Sequence, residues 1–480
     1  MDECSFDESK INTIYDAIVY VYLRLRQYGE EKYLERYYSQ FQSTDLCRDE
    51  RREIKGLLRN TLKNELYSPQ QFIQDLVPIF RKDEDVAGLL CIFTLKEFDD
   101  YLSNYEIEDA GLRKIISYKK VGYIYSDWEY VPLFKDNFIM DLKNMKDAKM
   151  DKLNKGIWSE IKNYKIIKHP DNYDISIDRF NVKWIKNDLE ENKNLKIAMV
   201  PFSQRGVFSE DSEGVKRYNP YGEKEENVYL SCISILEDLE KINVDIVIFP
   251  ELVMTKTIVD RIQEWIMDKH QSKPKIKLIF LGSYYDNNIN RCVLLAGDGS
   301  LLLSNDKRNA YEYENKSGKK HREQLGDFSK TISLIDIPGL GRVFYNICKD
   351  AIVTTEVMEI VGNYRYNFNV TSADTKGIEN FIEIAESIGM LYGVFSAVSN
   401  LCSARKRKSG FLEIGFIGVP VLKKNHIKGK SVTYKCDAPC AEDDFCACAH
   451  IFDIDLDNKQ IYGKGLVGVK IDQYCHFRNS

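Results

Sequence analysis

RVFYNICKDA, residues 342 to 351, is an apolar run of strand length that ends on a cysteine, a lysine and an aspartate. A tight-turn signal, PGLG at 338 to 341, joins it to a second apolar run, TISLIDI, so the pair reads as a β-hairpin. Cys348 therefore emerges where a buried strand ends. It is either an inert core thiol or a nucleophile.

Further short apolar runs lie on either side. KIAMV (196–200), VDIVIF (244–249), KLIFLG (277–282) and CVLLA (292–296) have strand length, and AGDGS turns the last of them into LLLS. Between the first two, Val228, Ile235 and Leu239 have the spacing of a helix packed on a sheet. Strands and helices alternate again through YNFNVTS, GIENFIEIAESIGML and GVFSAVSN. The pattern predicts a layered α/β domain with mixed strand pairing over 195–480.

The first 165 residues have helical rhythm instead. Ile11, Ile14, Ile18, Val21 and Leu25 follow Ser9, and Ile54, Leu57, Leu58, Leu62 and Leu66 repeat the spacing. Ser68 before Pro69 reads as a helix N-cap. A mostly α-helical N-terminal domain is expected over 1–165, with 166–194 as a polar linker holding one or two short strands. Such a helical region, carrying no chemical motif, is a candidate surface for a protein partner.

Composition narrows the function classes. The 480 residues carry a net charge of -6, so no basic field exists to hold nucleic acid or an anionic membrane. No window approaches the roughly 18 consecutive apolar residues of a membrane span. Twelve scattered cysteines and an acidic, polar N-terminus suit a reducing, cytoplasmic setting with free thiols.

Nucleophilic cysteine chemistry needs a thiolate, a base for its proton and a cation for the developing oxyanion. Glu251 directly follows VDIVIFP, where burial would raise a carboxylate toward the range of a general base. Lys307 leaves the second strand of the Gly-Asp-Gly hairpin. Groups delivered at neighbouring strand ends can converge above a sheet.

IFPEL with Glu251, NDKR with Lys307 and NICKDA with Cys348, in this order, resemble the Glu-Lys-Cys signature of the carbon-nitrogen hydrolase, or nitrilase, superfamily. The strands KIAMVPFSQ, NFNVTSADT, GVFSAVSN, GFIGVP and AHIFDIDLDN are similar to the family's frame, so the resemblance covers about 195–457. It implies an αββα sandwich that forms dimers or longer homo-oligomers, and a cysteine-dependent hydrolase of non-peptide C-N bonds. The implied substrate is a small amide or nitrile, processed through a thioester with no required cofactor. For the family's second glutamate Glu314 fits best, with Glu312 and Glu323 as competitors. Lys349 departs from the aromatic or acidic residue usual after the cysteine. With Lys307 it would make Cys348 the most acidic thiol, or accommodate an acidic substrate.

Two other features remain. Cys436, Cys440, Cys446 and Cys448 in CDAPCAEDDFCACAH could close a structural zinc site, although the spacing is not the paired C-x2-C pattern. The basic run Arg405 to Lys408 reads as a solvated loop or an anion contact. Two alternatives to hydrolysis share these residues: acyl transfer to an amine, and a nitrilase-like platform for assembly or ligand binding.

Overall fold

The computed structural model describes residues 9, 11–37, 39, 46–63, 68–105, 115–118, 128–132, 157, 161, 163–170, 173–180, 194–202, 207–219, 224–269, 274–337, 339–375, 377–401, 412–423, 426–436, 447–455 and 469–476. They form two compact units, one built mainly from residues up to Asn172 and the other mainly from Tyr173 onward.

In the first unit the described residues form helices Ile14–Tyr28, Glu30–Arg36, Arg48–Lys63, Pro69–Arg81 and Glu84–Tyr105. An antiparallel pair of strands, Trp128–Pro132 and Tyr164–Lys168, completes it. The first helix is capped by Thr13 rather than opening near Ser9: Thr13 Oγ1 accepts the Asp16 N–H, and the Asp16 carboxylate accepts the Thr13 N–H at 2.8 Å. Ser68 caps the fourth as its sequence predicts, accepting the Gln71 N–H at 3.1 Å ahead of Pro69. Helix Glu84–Tyr105 buries Val86, Leu89, Leu90, Ile92, Phe93 and Leu95, which lie around its whole circumference, so its neighbours enclose it. Gly88 makes room for Tyr33, since a Cβ there would lie 2.4 Å from the tyrosine ring.

The second unit is mixed α/β. One sheet has seven strands in the order Leu301–Asp306, Ile289–Ala296, Leu278–Asp286, Ile246–Ile248, Asn194–Met199, Ala447–Asp455 and Val469–His476. The other has eight: Ile115–Tyr118, Asp174–Phe180, Thr331–Ile337, Gly341–Ile347, Phe368–Ala373, Phe395–Asn400, Leu412–Lys423 and His426–Cys436. Strand Asp174–Phe180 falls within the stretch expected to be a linker. It pairs in parallel with Thr331–Ile337 because Ile175 and Ile177 find a core there.

The two sheets pack face to face. Ile197, Met199, Ile248 and Phe280 from one meet Val343, Tyr345, Ile347 and Val370 from the other in a single apolar cluster. Helices Glu225–Lys241 and Lys256–Lys269 cover the outer face of the seven-stranded sheet. Helices Thr354–Tyr364 and Glu379–Tyr392 cover the eight-stranded one. The layers run helix, sheet, sheet, helix, with about 1.5–3 kcal/mol gained for each large apolar side chain taken from water.

Two turns position the site. Asn287 (φ 51°) and Asn288 (φ 61°) link strands Leu278–Asp286 and Ile289–Ala296 in the left-handed conformation that two-residue hairpins demand. Gly282 (φ 77°) lets the same strand pass Pro250, whose carbonyl oxygen would lie 2.1 Å from any Cβ added there.

Among the described residues no helix is long and apolar enough to cross a membrane.

Candidate active site

Glu251 and Cys348 come from different sheets, each just beyond the end of a strand that runs parallel to a neighbour in its own sheet. Strand Ile246–Ile248 runs parallel to Asn194–Met199, and Gly341–Ile347 runs parallel to Phe368–Ala373. Polar bolts between the sheets hold these ends in register. Tyr345 Oη lies 2.9 Å from the Gly282 nitrogen and 2.8 Å from Ser372 Oγ, and Ser372 Oγ donates to the Phe249 carbonyl at 2.7 Å. Glu251 then follows Pro250, and Lys307 is drawn in as its N–H donates to the Asn290 carbonyl at 2.7 Å.

Lys307 Nζ donates to Glu251 Oε1 at 2.7 Å and to Glu323 Oε2 at 2.7 Å, and all three side chains are buried. The acid beside Lys307 is therefore Glu323, not Glu314. Glu312 and Glu314 lie on an exposed strand, Glu312–Glu314, which turns back into Lys320–Glu323. Along that second strand exposure alternates, and the period of two turns His321 and Glu323 inward.

The polar stretch between the first strand and its helix explains the placement. It forms the hairpin Val207–Glu210 and Val215–Asn219, whose second strand pairs in parallel with Lys320–Glu323 through Arg322 with Val215 and Glu323 with Lys216. Glu323 is then held by the Tyr285 hydroxyl and by the Tyr311 N–H at 3.0 Å.

Cys348 begins a single 3-10 turn, Cys348–Ala351, with φ 44°, a left-handed conformation costly for a residue with a Cβ. The Asp374 N–H donates to Glu251 Oε2 at 3.1 Å, and the Asp374 backbone also favours the ionised Cys348 thiol, so one residue acts on both nucleophile and base. Asn400, at the end of the next strand, fixes that loop by exchanging hydrogen bonds with the Thr375 backbone.

The electrostatics follow from burial around one cation. Desolvation pushes Glu251 up to about 7, with Glu323 and Asp374 adding to the rise and Lys307 opposing it. Burial acts on Glu323 too, but the Lys307 charge and the hydrogen bonds from Lys307, Tyr285 and Tyr311 hold it below the usual carboxylate range. The two carboxylates keep the Lys307 ammonium charged despite its burial. Burial and the Glu251 charge push the Cys348 thiol well above its ordinary value, against the pull of Lys307. The pull of Lys307 toward an acidic thiol is thus opposed by burial and by the Glu251 charge, which act in the other direction.

The Lys349 side chain is engaged away from the thiol. Its ammonium donates to the Ala310 carbonyl at 2.7 Å, while buried Asp350 accepts the N–H groups of Arg308 (3.1 Å) and Asn309 (2.8 Å). Both residues after the cysteine therefore clamp the segment that follows Lys307. Asn290, Tyr285 and Asp374 were not singled out in the sequence. The adjacent Asn287 and Asn288, residues suited to a two-residue turn, are the local signal from which the hairpin that carries Asn290 could be read.

The side chains of Cys436, Cys440, Cys446 and Cys448 lie outside the described residues, as does the basic run Arg405 to Lys408. Among the described residues no three His, Cys, Asp or Glu side chains gather in a metal-holding group.

No family model matches the sequence, and a search of curated proteins finds no match. Among solved structures, the chain is similar to an amidase from Nesterenkonia sp., at 12% identity over 55% of this chain and 93% of that one, with TM-score 0.34. It is similar to the C. elegans NitFhit protein at 13% identity, over 55% and 61% of the two chains, with TM-score 0.37. Saccharomyces cerevisiae Nit3, a member of branch 10 of the nitrilase superfamily, follows at 13% identity over 50% and 89%, with TM-score 0.32. Likeness at this level bears on neither activity nor substrate, which rest on the chain's own site.

Proposed function

We propose that the chain is a nitrilase-type, cysteine-dependent hydrolase of a non-peptide C-N bond, with Glu251, Lys307 and Cys348 as its catalytic residues and Glu323 as the acid that places Lys307. The observation that carries the reading is the buried ion-paired group Glu251–Lys307–Glu323 beside a cysteine held at positive φ. A fold gains little from burying two carboxylates around one lysine, because desolvation offsets most of the attraction.

For an amide, Glu251 takes the thiol proton as Cys348 Sγ bonds to the carbonyl carbon. The carbonyl electron pair moves to oxygen, where the Lys307 ammonium and the Lys349 backbone N–H stabilise it. Collapse breaks the C-N bond, the proton on Glu251 passes to the departing nitrogen, and a thioester remains. Water then gives a proton to Glu251 and attacks the thioester. The acid leaves as Glu251 returns the proton to sulfur. A base near 7 suits both proton transfers, and a thiol that ionises only on attack is protected from side reactions. No step needs a metal or organic cofactor. A homo-oligomer in the cytoplasm remains the expected setting.

The test is ammonia or amine release from a panel of small amides and nitriles, with mass analysis of the Cys348 peptide after rapid acid quench. A thioester adduct in the parent chain, absent from Cys348→Ala, is expected. Release that survives Cys348→Ala would end the reading. An added amine captured in the product would assign acyl transfer instead.

A further inference from the structure

We propose that Asn290 is a positioning residue for this site: its side-chain amide gives one hydrogen to each carboxylate that flanks Lys307 and thereby favours Glu251 as the base. The inference rests on the hydrolase reading above.

Asn290 is fully buried on strand Ile289–Ala296. Its Nδ2 lies 3.0 Å from Glu251 Oε1 and 3.4 Å from Glu323 Oε1, and its backbone carbonyl accepts the Lys307 N–H at 2.7 Å. One residue therefore touches the base, the acid and the backbone of the lysine that carries the cation. The orientation of its amide is forced, because rotating it would put Oδ1 against two carboxylate oxygens. The cost is visible: Oδ1 is buried with no hydrogen-bond partner among the described residues. An apolar residue would avoid that cost if the position served only to fill space.

Several charged or titratable groups face Glu251. Lys307 comes from the end of Leu301–Asp306, Glu323 from Lys320–Glu323, and Tyr285 from Leu278–Asp286. Cys348 and Tyr345 come from Gly341–Ile347 and its turn, and Asp374 from the end of Phe368–Ala373. Lys307 and the Asp374 N–H favour the carboxylate, whereas Glu323, the Asp374 carboxylate and burial oppose it. Asn290 is a donor that favours the carboxylate without adding charge beside the substrate. It holds Glu251 in the form able to accept the thiol proton near neutrality.

The experiment reads the rate of Cys348 alkylation by iodoacetamide from pH 5 to 9, peptide by peptide, in the full chain and in Asn290→Leu and Asn290→Asp, each with a thermal melt. Loss of a hydrogen bond to a charged group should move the rising limb of the Cys348 rate upward by about one pH unit in Asn290→Leu. Asn290→Asp, which replaces the donor with a like charge, should move it at least as far. A limb unmoved in a folded variant overturns the inference alone. Failure of both variants to fold also overturns it, by assigning Asn290 to the fold. A parent chain with no limb at all overturns the hydrolase reading together with it.

Discussion

Lys307 Nζ and Glu323 Oε2 lie 2.7 Å apart, although the two residues are 16 positions apart in the chain and a whole hairpin lies between them. Removing one partner of a buried ion pair leaves an uncompensated charge. Glu323→Gln should therefore lower the turnover of any amide by about 100-fold, through loss of the placed ammonium. Glu314→Gln, on the exposed strand, should stay within about 0.5 kcal/mol in stability and twofold in turnover. Steady-state rates for the two variants decide which glutamate serves the site; equal effects would refute the assignment to Glu323.

That assignment marks where the sequence stops being informative. Glu251, Lys307 and Cys348 are legible because each lies at or within a few residues of the end of an apolar run, and a strand end is a local property. Glu323 is not, because its position depends on strand Val215–Asn219, which lies more than a hundred residues earlier and pairs with it only in the folded chain. Spacing from Lys307 favoured Glu314, and nothing local shows that the hairpin alternation turns Glu314 outward and Glu323 inward. The environment of Cys348 is hidden from the sequence for a related reason. Lys349 is adjacent in sequence but its ammonium is taken by Ala310, and burial outweighs the remaining cation.

Raising Glu251 to about 7 has a sign that can be checked. The base works when ionised, so the Cys348 alkylation rate should climb with pH through a limb near 7. Asp374→Asn removes a like charge that helps hold Glu251 up, so the limb should move to lower pH. Movement to higher pH would mean that the Asp374 carboxylate does not act on Glu251.

Lys349→Met should cost about 1 kcal/mol of stability through loss of the hydrogen bond to Ala310. The limb of Cys348 alkylation should stay in place, because the ammonium serves the backbone and not the thiol. A limb raised by a full unit would show instead that Lys349 supports the thiolate.

Cys348→Gly tests the strain at the nucleophile. The φ of 44° is disfavoured for cysteine or alanine and accessible to glycine. Cys348→Ala and Cys348→Gly should both abolish thioester formation, yet the glycine variant should unfold at the same or a higher denaturant concentration. Glycine normally weakens a chain through unfolded-state entropy, so parity or better would reveal relieved strain. A glycine variant less stable than alanine by about 1 kcal/mol, the usual penalty, would show that the turn stores none.

Gly282→Ala should damage the site from a distance. Position 282 has φ 77°, and an added Cβ would meet the Pro250 carbonyl oxygen at 2.1 Å, too close for either backbone to remain where it is. Overpacking of this kind costs about 1–3 kcal/mol. The displaced residue is the one immediately before Glu251, and the Gly282 nitrogen and oxygen also hold the Tyr345 hydroxyl that bolts the sheets together. Strain there should reach Glu251 before it unfolds the sandwich. At a temperature where the variant is still folded, its turnover should fall by tenfold or more, and the limb of Cys348 alkylation should shift, while far-ultraviolet circular dichroism remains that of the parent. Full turnover in a folded Gly282→Ala protein would show that the Pro250 backbone can yield without moving the base.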